Sequence, residues 1–355
     1  MVSHITQAAA YWIREPLHRP YELAFGSLEA FNLLIVRVVD DDGSIAYGES
    51  CPVPPYSHET AEEVWTTVSK VLPELIHADP RSVLHSLRVR SQGAESFAYV
   101  APTTAVESLV YPATQDDALV VPVVGAVQAH TRADLVPEIR RLTALGYGTL
   151  KVKVGFDPEE DAYQVSVIQE NIDDDVRLRL DANEGWTAEQ AASFLKHLDP
   201  AHIELLEQPF PRARWDWTRD LVNEHHPVPL MLDESIQGEE SIGQAADIGV
   251  SFVKLKLMKT GSRLALQERM QLAQELGLST IIGNGIAGVV DNWYEALCAC
   301  GNPWAGEMNG NLKTVRSVFS GRPFLRDGQL QFPAGFGLAA DQEELVRRSQ
   351  RALVL

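Results

Sequence analysis

Six residues could do chemistry together: Lys151, Lys153, Asp181, Glu207, Asp233 and Lys256. Each stands at or near the end of a short apolar run, followed by a turn or helix start. In TLKVKVG (149–155), alternation puts Lys151 and Lys153 on one face of a strand, about 6.6 Å apart along its axis. Burial and a neighbouring ammonium should lower the proton affinity of at least one of them, and a neutral lysine is a usable general base. Asp181, Glu207 and Asp233 would repel one another unless a cation lay between them. Their hard oxygen donors suit Mg2+, with Mn2+ as a substitute. Lys153 precedes this acidic trio and Lys256 follows it, so a substrate carboxylate held at the cation meets an amine on each side. Asn183, two residues past Asp181, is placed to orient ligands or water.

The elements that must position these residues repeat. Lys153, Asp181, Glu207, Asp233, Lys256, Asn284 and Glu307 follow one another at intervals of 28, 26, 26, 23, 28 and 23 residues. Each interval accommodates a strand, a helix and two loops. Eight runs are counted: 119–127, 149–154, 177–183, 203–209, 229–235, 251–257, 279–285 and 304–310, the last the weakest. Amphipathic segments at 132–146, 187–198 and 262–277 lie between them. The expectation is an α/β chain with a (β/α)8 barrel over 119–329 and the polar residues on its carboxyl-terminal rim. Residues 1–118 read differently. FNLLIVRVVDDDGSIAYGES predicts a hairpin about DDG, and helices are expected at 59–76 and near 94–112. An α+β capping domain follows, which the final residues 330–355 should rejoin.

A carboxylate at one strand end is most often an N-cap, and one strand lysine usually snorkels to water. Three carboxylates and two lysine sites at one repeated phase are not explained that way. Lys254 shares a face with Lys256, so the assignment on that strand could slip by two residues.

Bulk properties narrow the partners. The chain has 355 residues, 30 basic and 49 acidic, for a net charge of −19. That balance disfavours nucleic acid and anionic membrane surfaces. Three cysteines, Cys51, Cys298 and Cys300, read as reduced thiols. With no secretory-type amino terminus and no apolar run of membrane-spanning length, a soluble cytoplasmic enzyme acting on a small carboxylate is expected. Self-association into a homo-oligomer is left open by the sequence.

The ordered motifs KVK, DAN, EQP, DES and KLMKTG resemble the enolase superfamily, specifically its muconate-lactonizing-enzyme subgroup, over nearly the whole chain. The resemblance implies that Asp181, Glu207 and Asp233 bind Mg2+, that Lys153 is the base on one face of the substrate, and that Lys256 is the acid/base on the other. It implies that Lys151 helps neutralise the substrate carboxylate. Lys256 is preferred to Lys254 because it stands five residues before Gly261, as the family's lysine does before its glycine. The stretches RPYELAFG (19–26) and GESCPVPPYSHET (48–60) match the family's capping loops, with Tyr21, Phe25 and Tyr56 as substrate contacts or interface packing.

Departures bear on the substrate. Dipeptide epimerases of the subgroup carry Asp-x-Asp on the eighth strand to hold a substrate ammonium, whereas here the residues are Glu307-Met308-Asn309-Gly310. Glu307 resembles the glutamate of the Glu-Leu-Phe-Gly stretch in muconate cycloisomerases. Asn284 stands where an acidic residue is frequent. Both are taken as substrate-binding candidates. The expected activity is a metal-dependent isomerase that takes the α-proton of a small carboxylate to form an enediolate, as a cycloisomerase, racemase or epimerase. A dehydratase or o-succinylbenzoate-synthase-like lyase is the close alternative, and a Schiff-base aldolase or a non-catalytic binding protein the more distant ones.

Overall fold

The stretch expected to form a hairpin does so. Strands Gly26–Asp40 and Ile45–Ser50 pair antiparallel, with Leu34 opposite Ser50 and Val39 opposite Ile45. Asp40 closes the turn by accepting from the backbone N–H groups of Asp42 and Ser44. The computed structural model describes residues 3–23, 26–54, 57–91, 96–129 and 131–355. The candidate contacts Phe25 and Tyr56 lie outside these described residues.

Ile5–Leu23 runs antiparallel beside Gly26–Asp40, and the carboxyl-terminal strand Ser349–Val354 joins on its other side. Both faces of this four-stranded sheet are apolar, so its period of two feeds two cores. Leu34, Val36 and Val38 pack on helices Ala61–Leu75, Pro80–Arg90 and Ser96–Val110. Leu33, Ile35 and Tyr11 face the barrel and belong to its core. Helix Ala61–Leu75 starts at a capping box in which Thr60 and Glu63 satisfy each other's backbone N–H groups. Pro80–Arg90 had no sequence expectation; its start is fixed by Asp79 capping and Pro80 in the first turn.

In the barrel, seven parallel strands follow in chain order: Gly125–Ala126, Thr149–Lys153, Arg177–Asp181, Ile203–Glu207, Leu230–Leu232, Phe252–Leu255 and Ser279–Ile282. Two sequence expectations need correction. The run 119–127 is not one strand. Leu119–Pro122 pairs antiparallel with Gln329–Phe332, outside the barrel sheet, and only Gly125–Ala126 enters it. The run divides past Pro122: Val123 N–H still donates outward to Gly328 O, whereas Val124 N–H turns to Gly306 O and Val127 N–H to Lys151 O.

The eighth run, 304–310, forms no strand. It closes the circle through a single parallel bridge between Val123 and Gly306. Gly306 N–H donates to Pro122 O, Gly306 O accepts from Val124 N–H and Glu307 N–H donates to Ile282 O, so the segment still links the residues leading into the first strand to the seventh. Its glycines and lack of β-branched residues explain why pairing stops at one bridge. Among the described residues no helix is long and apolar enough to cross a membrane.

Candidate active site

Register sets the rim. Lys153 lies opposite Asp181, and Asp181 opposite Glu207, on three adjacent strands. Asp233 follows Leu232 directly, and Lys256 follows Leu255 as the cap of a one-turn helix, Leu257–Thr260. The strands of Lys153 and Lys256 are separated by the three that carry the carboxylates, so the two amines approach from opposite walls. Their geometry is matched: Lys153 Nζ is 2.6 Å from Asp181 Oδ2, and Lys256 Nζ is 2.6 Å from Asp233 Oδ2.

Two further lysines fill the floor. Lys151 Nζ is 2.8 Å from Asp181 Oδ2, 2.9 Å from Glu207 Oε2 and 2.8 Å from Glu307 Oε1. Lys254 Nζ is 2.9 Å from Glu207 Oε1, 2.7 Å from Glu307 Oε1 and 3.6 Å from Asp233 Oδ2. Lys254 is therefore not the rim amine but an interior counter-ion, below Lys256 on the same face. Ammonium groups this deep persist only because each meets several carboxylates; unpaired, each would cost several kcal/mol of desolvation.

The charge states follow from this packing. Burial pulls the Lys151 ammonium toward neutrality, but Asp181, Glu207 and Glu307 together hold its pKa well above the ordinary lysine value. The sequence leads one to expect lowered proton affinity in at least one of Lys151 and Lys153, and Lys151 is not the one, because the carboxylates beside it outweigh its burial. Lys153 differs in access: 27% of its side chain is exposed, against 10% for Lys151 and 4% for Lys256. Its amine also meets Asn183 Oδ1, while Asn183 Nδ2 donates to Glu234 Oε1. Burial raises Asp181 and Asp233, yet Lys151 and Lys153 at the first, and Lys256 and Lys259 at the second, bring both below the usual carboxylate range. Glu207 is raised by burial and by Asp181.

Other expected contacts take different places. Glu307 is buried and pushed well below the ordinary glutamate value by Lys151 and Lys254 against the effect of burial. Both its neighbours are internal. Asn284 spends its amide on its own turn, accepting from Ile286 N–H and donating to Ile286 O, although it lines the cavity. Tyr21, near the tip of the capping hairpin, lines the same cavity of about 240 Å3, together with Lys153, Asp181, Asp233 and Lys256.

Sequence reasoning passed over four participants. Lys259 donates to Asp233 O and Oδ1 at 2.7 and 3.0 Å. Glu234, beside Asp233, is raised to about 7 by burial and by Asp233. Arg212 forms a fork with Glu184 at the cavity mouth, 3.0 and 2.7 Å. Lys313 stands over the Tyr21 ring, 4.1 Å from its centroid. Only Glu234 had a usable signal, its adjacency to Asp233.

The cap is anchored beside the site. Glu49, from the GES stretch, accepts from Gly288 N–H at the start of barrel helix Val289–Ala299. Tyr294 of that helix donates to Tyr47 O at 2.8 Å and accepts from Ser108 Oγ at 2.9 Å.

Among the described residues, no three His, Cys, Asp or Glu side chains are gathered closely enough to ligate one ion. The donor chemistry nevertheless suits a hard cation: three buried carboxylates on neighbouring strand ends, with Glu207 Oε2 receiving no aligned hydrogen bond despite its ion-pair contact with Lys151.

A parallel barrel whose rim carries three successive carboxylates flanked by lysines, under a sheet-and-helix cap, defines an enolase-type protein. The chain belongs to the enolase C-terminal domain-like family, whose sequence profile matches residues 134–345. It is 26% identical to muconate cycloisomerase 1 of Pseudomonas putida, with 94% of each chain covered. It is 24% identical to the N-succinyl-L-Arg/Lys racemase of Bacillus cereus, with 96% of each covered. Its fold superposes on a dipeptide epimerase of Cytophaga hutchinsonii, solved with Mg and D-Ala-L-Val, with a TM-score of 0.87, 20% identity and 99% of each chain covered.

Proposed function

We propose that this protein is a divalent-cation-dependent isomerase that removes the α-proton of a small carboxylate. The observation that carries the reading is the matched placement of Lys153 and Lys256, each 2.6 Å from the outer carboxylates of the acidic trio and on opposing walls. The named relatives, a cycloisomerase and a racemase, support an isomerase outcome.

Asp181, Glu207 and Asp233 would hold the cation, Mg2+ by analogy with the Mg-bound epimerase. When bound, it supplies positive charge to the substrate's acid group as the α-proton leaves. Lys153 Nζ, the more open amine, takes the proton from one face, and the C–H electron pair passes into the acid group as an enediolate. Lys256 Nζ returns a proton from the other face, giving inversion, or stands by while the enediolate's electron pair forms a Cα–Cβ double bond and expels a β-carboxylate, opening a lactone in the reverse of cycloisomerisation. Lys151, held as an ammonium, contributes fixed positive charge beside the acid group. Tyr21, from the capping hairpin, lines this cavity.

The test is α-proton exchange in deuterated water, followed by NMR, across acid sugars, N-acylamino acids, betaines and lactones. Exchange that requires Mg2+ and stops on chelation is expected. Full turnover after chelation, with borohydride trapping of a lysine adduct, would overturn the reading in favour of a Schiff-base aldolase.

A further inference from the structure

The end of the eighth barrel segment carries two acceptors, Glu307 lining the catalytic cavity and Asn309 lining a second cavity beside it, and both are taken by the chain's own ammonium groups. Glu307 holds Lys151 and Lys254. Asn309 Oδ1 accepts from Lys313 Nζ at 2.8 Å, and Lys313 also donates to Gly285 O at 2.7 Å. Lys313 is a cation without an anion: among the described residues no carboxylate lies within 4.0 Å of its Nζ, and its neighbours are a carbonyl, an amide and the Tyr21 ring. Burial lowers its pKa, while Tyr21 and Glu307 push the other way.

The position of this ammonium bears on the substrate. Gly285 lines the catalytic cavity, and a Cβ there would stand 2.8 Å from Lys313 Nζ and 3.3 Å from Tyr21 Oη. With no side chain at Gly285, Lys313 Nζ lies directly behind that stretch of the wall, and Lys313 itself lines the neighbouring cavity. Behind Lys313 and Tyr21 lies a second cavity of about 260 Å3, lined also by Arg19 and Arg141. Both arginines approach a single carboxylate, Glu138, at 3.9 and 3.4 Å. The side chamber therefore carries more positive than negative charge, and Tyr21 borders both spaces.

We infer that Lys313 and the chamber behind it form a subsite for a second acid group, so that the substrate is a carboxylate bearing a further anion away from the α-carbon. This inference rests on the isomerase reading for which end of the substrate reacts. A substrate ammonium at this end finds its acceptors filled and meets Lys313 instead, whereas a carboxylate supplies the missing counter-charge.

Three acids with tails of equal length separate the outcomes: N-succinyl-, N-succinamoyl- and β-alanyl-L-alanine, whose tails end in carboxylate, amide and ammonium. Calorimetry on the Mg2+-loaded protein is expected to show the carboxylate tail binding roughly tenfold or more tightly than the amide, with the ammonium tail weakest. Lys313→Met removes that preference, Lys313→Arg retains it, and Lys313→Glu reverses it, with circular dichroism showing each variant folded. Equal affinities, absence of binding by all three, or a preference that survives in Lys313→Met overturns the subsite. α-Proton exchange in the same samples reports separately. Exchange without charge preference removes the subsite and leaves the isomerase; charge-selective binding without exchange does the reverse.

Discussion

Lys254 Nζ lies 2.7 Å from Glu307 Oε1, and the same oxygen lies 2.8 Å from Lys151 Nζ, so one carboxylate bridges two buried ammonium groups across the barrel floor. Replacing Glu307 with Gln leaves both cations short of one anion. We expect Glu307→Gln to cost about 3–5 kcal/mol in urea unfolding, because a broken buried pair leaves uncompensated charge. Adding Lys254→Met should recover part of that loss, since the two changes share one interaction. A double variant whose cost is the plain sum of the singles would show that the bridge is not the cause.

Lys153 and Lys256 are expected to divide the chemistry by face. Lys153→Ala and Lys256→Ala should each lower turnover by about 10²–10⁴-fold, the range for loss of a positioned acid or base. Divalent binding, measured calorimetrically, should persist in both. Normal rates in both variants would refute the two-amine assignment.

Stability should fall as the solution becomes alkaline. Burial raises Glu295 from its ordinary 4.5 to about 8, and Glu49 to about 7, so both stay protonated in the fold where the unfolded chain would ionise. A raised acid pKa means the native state binds more protons than the unfolded state. The stabilisation from Glu295 is thus complete below pH 4.5 and is lost as pH rises through about 8. Melting temperature measured across this window should decline, and Glu295→Gln should flatten the decline. An unchanged slope in that variant would assign the pH dependence elsewhere.

Gly155 closes the TLKVKVG stretch at φ 102°, with the site of a Cβ only 2.3 Å from Ala182 O. Neither the backbone conformation nor the space admits a side chain. Gly155→Ala should destabilise by roughly 1–3 kcal/mol and lower turnover, because it wedges apart the loops that follow Lys153 and Asp181. Wild-type rates alongside wild-type stability would sink this expectation.

The alternation of apolar runs and amphipathic helices made the barrel legible, because a parallel strand and its crossover helix each impose a period on the residues they bury. The structure starts two of these helices with capping boxes, Thr60 with Glu63 and Thr187 with Gln190. The run 119–127 misled because β-branched residues favour any strand, and its partner at 329–332 is about 200 residues away in the chain. The segment 304–310 misled in the opposite sense, holding a strand's place in the barrel with one bridge.

The sequence by itself determined which residues share the barrel rim, since a strand's period of two and a unit length of some 25 residues put Lys153, Asp181, Glu207, Asp233 and Lys256 in phase. Charge balance among them was decided only by tertiary structure. Whether Lys151 is pushed toward or away from its ammonium form depends on how many carboxylates reach it, and three do. The roles of Lys254 and Lys313 were equally invisible, because one ammonium is buried among acids and the other among neutral acceptors by segments that meet only when the barrel closes. Coulomb interactions act through space with a strength set by local burial, and neither is encoded in the spacing of residues along a chain.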